Sequence, residues 1–206
     1  MRIKIYVEGG GDRQELKSKC RQGFNKFFRK AGLEGRMPRI VASGGRQTAY
    51  RDFCIALRKA GDDDFIVLLV DSEGPVDPAH EGAPWSHLKA RDEWDRPAQA
   101  TDENVHLMVQ CMESWFIADR QGLIAFFGQG FNESKLPHNP NVEKILKQDL
   151  NDTLEKASRD SRKGRYSKGS HSFEILSQID PEEVARVSPW AKRLIDILRD
   201  KASSAT

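Results

Sequence analysis

Cysteine is scarce and irregularly placed. Cys20, Cys54 and Cys111 are the only three in 206 residues, far apart and outside any Cys-x-x-Cys pair. That pattern excludes a disulfide framework or a cysteine zinc site and reads as small hydrophobes in a reducing compartment, so a cytoplasmic location is expected. Long apolar runs are missing as well. No stretch approaches the roughly 20 residues that a membrane helix needs. The opening Met1-Arg2-Ile3-Lys4 runs straight into a strand pattern without an apolar signal region, so no membrane partner is expected. Neither sign of charge dominates: 33 basic residues face 31 acidic ones, a net charge of +2. Any case for nucleic acid therefore rests on local clustering. Several catalytic signatures are absent too. There is no Gly-x-Ser-x-Gly, the five histidines form no His-Glu-x-x-His, and no Cys–His nucleophile pair stands out. Gly9-Gly10-Gly11 matches no dinucleotide fingerprint, because Gln14 stands where the last glycine belongs, and no Lys-Ser/Thr follows to make a P-loop.

What is present is an alternation of strand and helix patterns. Residues 2–8 place Ile3, Ile5 and Val7 on one face and end at Glu8. From Asp12 the apolar residues Leu16, Cys20, Phe24, Phe27, Phe28 and Ala31 recur at helical spacing, with Gly32 as a stop. A short strand is predicted over 39–43 and a helix over 48–60. The unbroken apolar run 65–70 is what a strand covered on both faces looks like, and it ends at Asp71. Residues 75–103 read as a long loop with a short helix near 86–96. Residues 104–112 alternate again and lead to Glu113. Helical patterns follow at 115–127, 141–157 and 188–201. The expected fold class is α/β: a mostly parallel sheet flanked by helices over residues 1–130, with a helical C-terminal part over 131–206 packed on that core.

Three predicted strands thus end in carboxylate: Glu8, then Asp71 with Glu73, then Glu113. In a parallel sheet these ends share one edge, the edge where open α/β folds place their ligands. Four carboxylates gathered there repel one another unless a cation sits between them. A hard divalent ion with oxygen ligands, Mg²⁺ or Mn²⁺, answers that need. Residues two apart at a strand end point the same way, so Asp71 and Glu73 are expected to face one ion. A single acidic strand end more often caps a helix or faces water, and it is the coincidence of three that favours a metal site. The glycines read mainly as a tight strand-to-helix turn.

Three stretches together, "VEGGGD" at 7–12, "LVDSEG" at 69–74 and "QCMESWFIAD" at 110–119, resemble the Toprim domain of topoisomerases, primases and OLD-family nucleases. The last stretch is similar to the Cys-Phe-Glu-x-Trp segment of the RloB-like branch. The chain as a whole resembles a small bacterial Toprim-like family whose late Tyr-x-Lys motif corresponds to Tyr166-Ser167-Lys168. The resemblance implies that Glu8 acts as general acid/base or metal ligand and that Asp71 and Glu73 hold Mg²⁺. Glu113 is then a further ligand or supports the others. The second motif here is Asp-x-Glu where the family has Asp-x-Asp, which leaves the number of metals open. The resemblance also implies a bacterial phage-defence or DNA-processing setting, with a separately encoded ATPase as partner.

The segment 156–171 carries Arg162, Lys163, Arg165 and Lys168, with Tyr166 between them and His171 after. Basic residues around an aromatic suit phosphate contact and base stacking, although a solvated loop has the same composition. Beside an acidic nuclease centre, Lys168 and His171 are the candidates for phosphate contact or transition-state stabilisation. The reading is a Mg²⁺-dependent phosphodiesterase acting on DNA or RNA. Its rivals are a non-catalytic regulatory or nucleotide-binding subunit of an ATPase-containing complex, and a phosphotransfer enzyme acting on a small substrate.

Overall fold

The computed structural model describes residues 1–203. Four strands, β1 (Arg2–Glu8), β2 (Arg39–Gly44), β3 (Asp64–Asp71) and β4 (Val105–Met108), form one sheet in the order β2-β1-β3-β4, with every pairing parallel. Between and after them lie α1 (Gln14–Phe28), α2 (Arg46–Arg58), α3 (Pro84–Asp92), α4 (Glu113–Ala118), α5 (Arg120–Phe127), α6 (Lys147–Ser158), α7 (Lys168–Leu176), α8 (Pro181–Val187) and α9 (Pro189–Ser203).

The strand alternation explains the layering. Ile3, Ile5 and Val7 of β1, with Phe65, Val67 and Leu69 of β3, face α1 and the C-terminal helices in one apolar cluster. The alternate residues Ile66, Leu68 and Val70 pack with α2 and α3 on the other side. Period-two patterning thus feeds two cores, one on each face, as a parallel sheet requires. The larger core runs from β1 to α9, so the helical part after residue 130 packs on the same core as the first strands. Close approach makes this possible at one point. A Cβ on Gly23 of α1 would stand 2.7 Å from the Phe173 carbonyl oxygen, so only glycine lets α7 lie this near.

Some local expectations change. The alternation 104–112 is only partly strand: β4 ends at Met108, the residue paired with Asp71, the last residue of β3. Glu113 therefore opens helix α4 instead of ending a strand. The helix expected over 115–127 breaks at Asp119, whose carboxylate accepts from Gly122 N–H to start α5. The helix expected over 141–157 begins only at Lys147. Helices α7 and α8 were not foreseen, being short and weakly periodic. Among the described residues no helix is long and apolar enough to cross a membrane.

Candidate functional site

The C-terminal strand ends gather the acidic residues together. Gly9, Gly10, Gly11 and Gly44 all have positive φ, and a Cβ on Gly10 would stand 2.8 Å from the Lys17 Cα. The glycines are thus the turn itself, and they leave Glu8 clear at the end of β1.

Arg46, the first residue of α2, organises one bank. Its guanidinium donates to Glu8 Oε2 at 3.0 Å, to both oxygens of Asp92 at 2.9 and 2.6 Å, and to the Asp71 carbonyl at 2.5 Å. It also lies 5.1 Å from the Trp94 ring centre, and Trp94 stacks on Tyr50. Burial pushes the Glu8 carboxyl above its ordinary range against the pull of Arg46, with Glu73 adding to the rise. Asp71 and Glu73 do face one cation, the Lys147 ammonium, at 3.9 and 2.5 Å. They do not do so as successive strand residues. Glu73 lies beyond the strand with φ of 67°, so the same-face rule for residues two apart fails there. Burial works against its ionisation, but Lys147 outweighs it and holds the carboxyl below its usual range.

Glu113 organises the other bank. Fully buried, it accepts from the Tyr166 hydroxyl at 2.9 Å and pairs with Lys168 Nζ at 3.3 Å. Burial and the Glu113 charge together raise the Tyr166 pKa. Burial alone would lower that of Lys168, but Glu113 and Asp71 reverse the sign and raise it. Asp71 lies between the banks, with Oδ1 accepting from Met112 N–H at 3.0 Å. Burial pushes its carboxyl up to about 7, aided by Glu113 and Glu8 and opposed by Lys168 and Lys147.

A cavity of about 240 Å³ opens here, lined by Glu8, Asp71, Lys168, the glycine turn and an apolar wall that includes Phe173. Glu73 and Glu113 do not line it; each is tied to its own basic partner. Among the described residues no group of three or more His, Cys, Asp or Glu is arranged to hold a metal ion. The two carboxylates at the cavity nevertheless suit a hard divalent ion that keeps several waters, as Mg²⁺ does.

The basic segment divides. Arg162, Lys163 and Arg165 are exposed: Lys163 lies 3.7 Å from Glu174 and over the Phe126 ring, and Arg165 pairs with Glu155. Tyr166 corrects the stacking expectation, because the ring is only 4% exposed and the hydroxyl is bound to Glu113. His171 sits among Phe126, Phe127 and Tyr166, its Nδ1 accepting from Ser167 N–H, and it does not line the cavity. Arg46, Asp92 and Lys147 escaped sequence reasoning. The one available signal was for Arg46, which follows Gly44-Gly45 at a strand end.

No curated protein and no solved structure matches the chain significantly. One family profile, described as a domain of unknown function (DUF4276), spans residues 7–199 of the 206. The chain belongs to the DUF4276 family.

Proposed function

We propose that this protein is a metal-dependent phosphodiesterase acting on DNA or RNA. One observation carries the reading: Glu8, Asp71 and Lys168, from three distant parts of the sequence, line a single cavity at the C-terminal edge of a parallel sheet. Glu8 and Asp71 are the residues to hold Mg²⁺ or Mn²⁺. An ion so held supplies positive charge to a phosphoryl group and lowers the pKa of bound water. Lys168 meets the phosphate, and its pairing with Glu113 aims the ammonium and limits its motion. Arg46 keeps the Glu8 carboxylate turned to the strand ends through its grip on Asp92. The exposed Arg162, Lys163 and Arg165 supply a cationic approach for a polyanion. A Toprim-type kinship and a partner ATPase belong to the same proposal, resting on the three sequence stretches named above.

The test is cleavage of single- and double-stranded DNA and RNA with Mg²⁺ or Mn²⁺, comparing the native protein with Asp71→Asn and Lys168→Met. Cleavage lost about 100-fold or more in both variants is expected, the scale of removing a group that stabilises the reacting charge. No metal-dependent cleavage by the native protein on any substrate would overturn the reading. A non-catalytic, phosphate-sensing module is the second reading. It is favoured by one observation, that each acidic residue at this edge already has a basic partner.

A further inference from the structure

The shape of the cavity bears on which nucleic acid it takes. Resting on the hydrolytic reading above, we infer that the site accepts one unpaired nucleotide at a time, from a strand end or an unstacked loop, and excludes the interior of a paired duplex.

The volume, about 240 Å³, falls just below the roughly 300–1,000 Å³ of pockets that enclose drug-sized molecules. One nucleotide's base or sugar fills such a space, whereas a base pair does not. The lining is sorted in a way that matches a nucleotide. Glu8, Asp71 and Lys168 provide charge, while Leu16, Met108, Met112 and Phe173 provide an apolar wall. A base offers a flat apolar face to such a wall whatever its identity, and a phosphate calls for the cation. The reactive end is also recessed. Asp71 is only 6% exposed, while the Lys168 side chain at the rim is 55% exposed. A duplex carries its phosphates on the outside of a wide rod with the bases stacked within. Reaching a buried carboxylate beside an apolar wall therefore requires a nucleotide taken out of the stack, which costs least where it is already unpaired.

Gly169 lines the cavity beside Lys168. A Cβ on Gly169, in the first turn of α7, would meet no atom within 4 Å, and its φ is not positive. A side chain there enters open space without backbone strain. Gly169→Leu is thus an obstruction that leaves the surrounding packing alone. Leu16→Asp, on α1, is the independent second variant, because it changes the apolar wall at a partly exposed position.

The experiment has a binding arm and a cleavage arm, both at one fixed salt concentration. In the first, adenosine and uridine 5′-monophosphates are titrated into the native protein and both variants, with circular dichroism to verify folding. Both monophosphates are expected to bind the native protein, and each variant to weaken binding about tenfold, the loss of roughly 1.4 kcal/mol. In the second, a linear single strand is compared with a duplex of the same sequence closed by loops at both ends, with cuts mapped. Cuts confined to the single strand and to the closing loops are expected. Cutting the paired interior as fast as the single strand overturns the inference and leaves the hydrolytic reading standing. Monophosphate binding that neither folded variant weakens also overturns it, as does the absence of binding. Binding with the expected variant effects but no cleavage supports the nucleotide site and overturns the hydrolytic reading instead.

Discussion

The two banks of the cavity are built on opposite plans. On the α2 side a cation stands at the centre: Arg46, 14% exposed, serves Glu8, Asp92 and the Asp71 carbonyl. On the α4 side an anion stands at the centre: Glu113, with no exposed surface, serves the Tyr166 hydroxyl and the Lys168 ammonium. In each, the central group is the harder to replace, because removing it strands everything arranged around it. The penalties differ in kind. Without Arg46, the Glu8 and Asp92 carboxylates, 20% and 9% exposed, lose the cation between them. Without Glu113, a hydroxyl loses its partner, while Lys168, 55% exposed, turns to water.

The largest expected effect is therefore at Arg46. Arg46→Gln should cost about 3 kcal/mol of stability in urea unfolding of metal-free protein, as breaking a buried charge network does. Adding Mn²⁺ should return part of that loss if Glu8 and Asp71 can hold an ion; no recovery would mean that the guanidinium was the only cation this bank accepts. Glu113→Leu should cost less, about 2 kcal/mol, mainly the buried Tyr166 hydroxyl left without an acceptor. Equal losses in the two variants would erase the contrast between the banks. Smaller again, Tyr166→Phe should lose about 1.5 kcal/mol, because Glu113 keeps Lys168.

The last effect concerns Asp71, which both banks touch. Its folded-state pKa, pushed up to about 7, lies above the unfolded value of about 3.9. Between those values the folded protein holds a proton that the unfolded chain releases. The contribution of Asp71 to stability is thus full below about pH 4 and is lost as pH rises through 7. In metal-free protein, Asp71→Asn should remove a decline of roughly 2–3 kcal/mol between pH 5 and 8, read from urea midpoints. An unchanged pH slope in the variant would show that the carboxyl ionises normally.

How much of this was legible beforehand depends on the range of the interactions. The alternation in β1 and the apolar run in β3 were readable because burial on one face or both imposes a local period. Glu8 and Asp71 followed, since strand ends in a parallel sheet meet at one edge. Repulsion among the acids was also foreseeable, but what neutralises it was not. An ion was expected, and Lys168 was expected at the phosphate and not on Glu113, whereas Arg46 and Lys147, 25 residues before Asp71 and well over 50 after it, carry no pattern linking them to their partners. Tyr166 failed for a related reason: a tyrosine among basic residues looks solvent-bound until Glu113, 53 positions earlier, arrives to accept its hydrogen bond. The glycine at position 23 gave no signal either, since its role appears only when α7 is in place.

That contact between Gly23 and Phe173 has a consequence for the protein while it is being made. The turn bearing Glu8, helix α1 and Asp71 all precede α7 in the sequence. Lys168 and the α7 wall that closes the cavity come 97 residues after Asp71. Nascent chains fold from the N-terminus as they appear, so the sheet can form while its edge still lacks Lys168 and the α7 wall. The cavity is thus closed only when α7 docks against Gly23, after both of its carboxylates are in place.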